Sequence, residues 1–181
     1  MSINIGPESA FGNALKEFWL KLENDKGARA ELRRCRDIGE VMLTPAYHHF
    51  CQRIKPLMAG EHPGWEGRMA AIVGLVAHLK PDHAKTVLAE GKHKERSYAA
   101  AFVLPMTDKQ GDRPQVSELR FRRLLQRDFE DLYPAMIRLL RMLDGGANLY
   151  GLAESVYYWG DRIKKDWAFA YFPRVPEKQS A

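Results

Sequence analysis

Between Ser117 and Asp128 the sequence reads SELRFRRLLQRD, which puts Arg120, Arg122, Arg123 and Arg127 in one short amphipathic segment. Guanidinium groups at this density do not suggest acid–base or nucleophilic chemistry. A planar fork of donors grips phosphate oxygens in pairs and stacks on bases. At about 100° per residue, Phe121, Leu124, Leu125, Phe129 and Leu132 fall on one side of a helix. Arg120, Arg123 and Arg127 share an adjacent strip about 60° wide, and Arg122 lies on the far flank. Arg123 and Arg127 are like charges at i,i+4, which costs a helix a few tenths of a kcal/mol, and only Glu118 stands four residues before an arginine, Arg122. The strip does nothing for its own helix.

The pattern recurs in GARAELRRCRD, where Arg29, Arg33 and Arg36 line one strip beside Ala28, Leu32 and Cys35 while Arg34 faces away. Near the end of the chain, Val156, Trp159, Ile163, Trp167 and Ala170 form an apolar stripe. Arg162 and Lys165 sit beside Tyr158 and Phe169 on another face, with Lys164 apart. Arg138 and Arg141 are also one turn apart. Strips of this kind suit a nucleic-acid backbone. Exposed helix arginines are as often simply solvated, or pair with acids on a neighbouring helix, and at this level the two readings are equal. Trp159 and Trp167 are assigned to the core rather than to stacking on bases.

Composition narrows the classes. The chain has 181 residues, 45% hydrophobic and 28% charged, enough apolar material for a packed interior. The net charge of +5 favours a polyanionic partner and is local. Residues 29–55 carry six Lys or Arg against three acids, and residues 119–181 carry eleven against eight. Two cysteines, Cys35 and Cys51, are too few and too far apart for a disulfide scaffold. The N-terminal MSINIGPESA has no basic and apolar leader pattern, and no apolar run approaches the ~18 residues of a membrane span, so a soluble, cytoplasmic protein without membrane contact is expected. The histidines His48, His49, His62, His78 and His83 lack metal-ligand spacing. No GxSxG elbow, phosphate-binding glycine loop or paired carboxylates occur, so neither cofactor nor metal is expected.

The elements that must position the arginines read as helices throughout, an all-α fold of about eight to nine helices, as a compact bundle or as two small lobes. Ser9 caps a helix to Leu22, a second runs from Ala28 to Arg36, and Thr44 with Pro45 starts a third that Pro56 ends. A stripe of Met69, Ile72, Val73, Val76 and Leu79 follows Trp65, and a further helix is expected over Asp82 to Glu90. Ser117 caps the arginine segment, Pro134 fits the first turn of a helix that stops at Gly145 and Gly146, and Asn148 starts one long helix to about Phe172. No alternating strand pattern is found. Residues 1–90 are expected as an N-terminal lobe, 91–116 as a linker or loop with at most a short helix, 117–172 as a C-terminal lobe and 173–181 as a flexible tail.

Five segments in this order, LRR at Leu32 to Arg34, TPAYHHF at Thr44 to Phe50, the Gly64-Trp65 pair, SELRFRRLLQRD, and YYWGDRIKKDWAFAYF at Tyr157 to Phe172, resemble the CasB family, the small subunit of the type I-E CRISPR complex Cascade. The resemblance covers most of the chain and is weakest over Gly91 to Pro114. It implies a non-enzymatic helical subunit that forms a dimer within Cascade, packs against the subunits holding the guide RNA, and stabilises the R-loop by holding the displaced single strand of DNA. Guide pairing would read sequence and the protein would supply charge along backbones, by analogy with another RNA-guided effector. Carried onto this sequence, the nucleic-acid-binding candidates are Arg29, Arg33, Arg34 and Arg36, then Arg120, Arg122, Arg123 and Arg127, then Arg162, Lys164 and Lys165. Facing favours Arg33, Arg36, Arg120, Arg123 and Arg127 for DNA, and Arg34 and Arg122 for structural or interface roles. The alternative is an assembly scaffold whose arginines meet partner subunits. A helix-turn-helix repressor lacks its recognition pair.

Overall fold

A computed structural model describes residues 2–90 and 97–177. Residues 91–96 of the expected linker and 178–181 of the expected tail lie outside these. Helices α1 (Ala10–Asn24), α2 (Lys26–Arg34), α3 (Ile38–Met42) and α4 (Pro45–Ile54) come first, followed by α5 (Trp65–Val76), α6 (Ala84–Val87) and α7 (Tyr98–Val103). Then come α8 (Glu118–Leu125), α9 (Phe129–Met142), α10 (Leu149–Tyr157) and α11 (Asp161–Tyr171).

The all-α expectation holds, with eleven α-helices among the described residues. The start signals act as read. Ser9 accepts from Gly12 N at 2.9 Å, Thr44 caps α4 with Pro45 in its first turn, and Ser117 caps α8.

Several boundaries differ, each for a local reason. The second helix stops at Arg34, because Cys35 takes an extended conformation (φ −62°, ψ 126°). The terminal helix is divided into α10 and α11 by an extended Gly160. Pro134 sits inside α9, not in its first turn. The buried Leu132 and Tyr133 carry that helix upstream, at the expense of the backbone bond proline cannot donate. The Asp82 to Glu90 helix is a 3-10 turn over Pro81–His83 followed by the single turn α6. One short hairpin, β1 (Lys109–Gln110) and β2 (Arg113–Pro114), pairs antiparallel where no strand is expected. Two-residue strands are too short to leave an alternating pattern.

Helix α5 occupies the centre. From Met69 to Val76 every residue is buried, so the helix is enclosed on all sides rather than along one stripe. It packs against α2, α3 and α4 on one part of its surface and against α9 and α10 on another, while α7 lies on α10 and α11. The core is continuous from Ile5 and Phe11 through α5 to Trp167 and Tyr171. Arg68 of α5 donates to the carbonyls of Val156 (3.4 Å) and Tyr157 (2.8 Å), closing the C-terminus of α10, and its guanidinium lies 4.5 Å from the centre of the Phe129 ring. One cation thereby joins α5, α9 and α10.

Helices α10 and α7 approach each other closely at Gly151. A Cβ on Gly151 would lie 2.4 Å from the Tyr98 carbonyl oxygen and 2.8 Å from Phe102 Cβ. The carbonyl is backbone and has no rotamer with which to move aside. Gly151→Ala is therefore expected to cost about 1–3 kcal/mol by overpacking, seen in thermal unfolding as a drop of roughly 2–4 °C for each kcal/mol. An unchanged melting temperature would contradict this packing of α7.

Candidate nucleic-acid interface

The arginines of SELRFRRLLQRD are displayed by a helix anchored through aromatic contact. Phe121 is fully buried and stacks on Tyr171 of α11 with ring centroids 3.9 Å apart and planes within 7° of parallel. The Tyr171 hydroxyl donates to the Val116 carbonyl (2.6 Å), fixing the entry to α8, and the Trp159 indole donates to the Arg127 carbonyl (2.9 Å), fixing its exit. With α8 pinned at both ends, its outer strip has a defined direction.

That strip opens onto a groove of about 460 Å³ between α8 and α9. Arg120 and Arg123 line it from α8, Arg127 from the turn that follows α8, and Arg138 and Arg141 from α9. All are exposed except the half-buried Arg127. The groove also contains Val116, Leu124, Ala135, Leu139 and Met142, buried apart from the half-buried Met142, which form its apolar floor. No acid lines it, and none of the five arginines forms an ion pair with an acid among the described residues. The one-turn spacing of Arg138 and Arg141 was legible in the sequence. Their convergence with the α8 strip was not, because it depends on how two helices pack.

Other candidates are engaged within the chain. Arg122 Nε donates to Glu118 Oε1 (2.8 Å), and its guanidinium lies 5.5 Å from the Phe172 ring centre, outside the groove. Arg162 lies 4.0 Å from Glu154 and 3.7 Å from Asp166, with its guanidinium 5.4 Å from the Tyr158 ring centre. Lys164 Nζ lies 5.5 Å from the Trp159 ring centre, whereas Lys165 is exposed. Trp159 and Trp167 are buried, as their apolar stripe predicts.

In the first motif the break at Cys35 removes Arg36 from the strip. Its backbone N–H donates to Glu40 Oε2 (2.7 Å), and its side chain lies 3.8 Å from the same carboxylate. Arg29 Nε donates to the Ala77 carbonyl (3.1 Å), and a terminal nitrogen donates to that of Leu79, which also accepts from the Trp19 indole (3.2 Å). Arg29 therefore closes the end of α5. Burial first, then the neighbouring Arg33, lower its guanidinium from the ordinary value. Arg33 and Arg34 are exposed. Arg29 and Arg33 border a second, open depression together with Lys26 and Lys80.

His78 connects the two regions. It is buried, with Nε2 lacking any hydrogen-bond partner. Its pKa is pushed down to about 4 from 6.5, by burial and then by the charges of Arg33, Arg141 and Arg29. The smaller contributions come from cations of both α2 and α9. Lys80 and His83 also converge on Asp144, with His83 Nε2 3.2 Å from Oδ2, tying the turn after α5 to the end of α9. Among the described residues no group of His, Cys, Asp and Glu could hold a metal ion. No helix there is long and apolar enough to cross a membrane.

Because the folded state holds His78 neutral, the unfolded chain binds the extra proton. The associated stability is complete above pH 6.5 and declines as pH falls toward 4, by up to roughly 3 kcal/mol. Urea unfolding between pH 7 and pH 4 should show this decline, and His78→Leu should flatten it relative to wild type. An equal slope in both would contradict the assignment.

The arginine groove lies in a region covered by a known family. No curated protein and no solved structure matches the chain. A family model described as CRISPR-associated protein Cse2 matches residues 28–172, from within α2 to just past the end of α11, a span that takes in the arginines of the first, central and terminal motifs. The chain belongs to the Cse2 family, the CasB family of the type I-E CRISPR complex Cascade.

Proposed function

We propose that this Cascade subunit is non-catalytic and cytoplasmic, binds nucleic-acid backbone, and stabilises the R-loop by holding the displaced non-target strand. In this reading it acts as a homodimer beside the subunits that carry the guide RNA. The observation that carries it is the α8–α9 groove, where five arginines from the two helices and the turn between them converge with no acid in the lining. Like charges drawn together without a counter-ion raise the energy of the folded chain. A phosphate backbone removes that repulsion and releases its own condensed cations. The grip needs no sequence preference, since guide pairing performs the reading. The second strip contributes through Arg33, with Arg34 and Lys165 as further exposed cations and Arg36 half committed to Glu40. Arg29, Arg122 and Arg162 support the framework from which the grip is displayed.

A scaffold reading, in which the same arginines meet partner subunits, is favoured by a different observation. Leu43 is 84% exposed, and Leu119 and Phe169 are 56% and 55% exposed. Such residues suit subunit contacts. The two readings separate on reconstitution of the complex.

Arg120→Glu, Arg123→Glu and Arg127→Glu together should weaken R-loop formation while leaving the protein folded by circular dichroism and the complex assembled. The log-log salt dependence of single-strand binding should fall by about 0.7 for each phosphate that is no longer neutralised. If the triple variant assembled poorly but, once assembled, opened target DNA normally, the scaffold reading would replace this one. Arg122→Ala, outside the groove, should leave the salt dependence unchanged.

A further inference from the structure

A surface that only follows phosphates has no use for a recess. The α8–α9 groove is concave and floored by Val116, Leu124, Ala135, Leu139 and Met142, with its arginines at the rim. The groove is not needed to hold α8, which is fixed by the Phe121 ring, the Val116 carbonyl and the Trp159 indole. We propose, building on the backbone grip above, that this groove takes an unstacked nucleotide, its base on the aliphatic floor and its flanking phosphates on the arginine rim.

The dimensions and charge pattern favour this occupant. Arg120 and Arg123 stand on α8 and Arg127 follows it just past the turn at Gln126, so the rim presents a row of positive charge along the groove rather than a single cation. A row of like charge matches a uniform polyanion better than a peptide, whose carboxylates are interrupted and carry single charges. At about 460 Å³ the recess is within the usual range of small-ligand pockets, ~300–1,000 Å³. Guanidinium planes at the rim supply stacking surfaces that the floor, which has no aromatic ring, does not. Paired DNA keeps its bases inside the duplex and offers the groove only phosphates. The recess therefore makes a sequence-blind grip selective for strands whose bases are free.

The test compares short oligothymidylate with an abasic strand of equal length and charge, at low ionic strength, by fluorescence anisotropy with the full chain. The abasic strand is expected to bind about tenfold more weakly, the scale of removing one well-placed base from its site, with the same salt slope. Filling the recess with Ala135→Phe should bring the ratio of the two affinities toward one. The comparison on the wild-type chain decides the matter even if that variant folds poorly. Equal binding of both strands with a retained salt slope would overturn the base subsite and leave the backbone grip standing. Binding of neither strand would overturn both. If polyglutamate displaced the thymidylate strand at equal charge concentration, the groove would belong to an acidic protein segment and the proposal would fall.

Discussion

The constraint on which this structure depends is the complete enclosure of α5. A helix apolar around its whole circumference from Met69 to Val76 cannot rest at a surface. It must be covered by at least two groups of neighbours, and here α2, α3 and α4 cover one part while α9 and α10 cover another. Small residues set how closely they approach. A Cβ at Gly74 would lie 2.2 Å from the Tyr133 hydroxyl of α9 and 2.8 Å from Val41 of α3. The chain after α5 is tied down just as firmly, by Arg29 and Trp19 on the Leu79 carbonyl and by Lys80 and His83 on Asp144. Because α2 and α9 share this central neighbour, their outward faces can belong to one basic surface.

Charge on that surface is organised by what lies beneath it. The α8 strip repels itself, so its orientation is held by Phe121 on Tyr171 and by the indole of Trp159 on the Arg127 carbonyl, not by ion pairs. Basic residues divide into two kinds. Arg29, Arg68, Arg122 and Arg162 are committed to carbonyls, acids and rings within the chain. Arg120, Arg123, Arg127, Arg138 and Arg141 are gathered at a groove whose lining holds no acid. The first kind builds the frame, and the second is displayed by it. The depressed pKa of His78 reflects burial first and then the charges of Arg33, Arg141 and Arg29.

Much of this was legible in the sequence, because it depends on neighbours along the chain. Helical periodicity, the caps at Ser9, Thr44 and Ser117, the shared facing of Arg120 and Arg123 on α8 with Arg122 apart, and the core positions of Trp159 and Trp167 all follow from local spacing, whereas α8 ends at Leu125 and leaves Arg127 to the turn beyond it. Order and identity of short motifs also carried the family. Breaks were harder to see. Nothing in the composition of GARAELRRCRD announces that Cys35 leaves the helix, and the apolar stripe from Val156 to Ala170 continues across Gly160 as though the helix did. Backbone exits of this kind are imposed by what the following segment must reach, which periodicity does not register.

By itself the sequence determined that the chain is helical, that its arginines lie in strips beside apolar faces, and which family it belongs to, since each rests on residue order within a few turns. Only the tertiary structure decided which arginines stand together and which are already engaged. Arg138 and Arg141 join the α8 arginines because α9 packs beside α8, and Arg36 leaves its own strip because Cys35 is extended. A phosphate or a base responds to that spatial arrangement of charge, for which spacing along the chain is an incomplete guide.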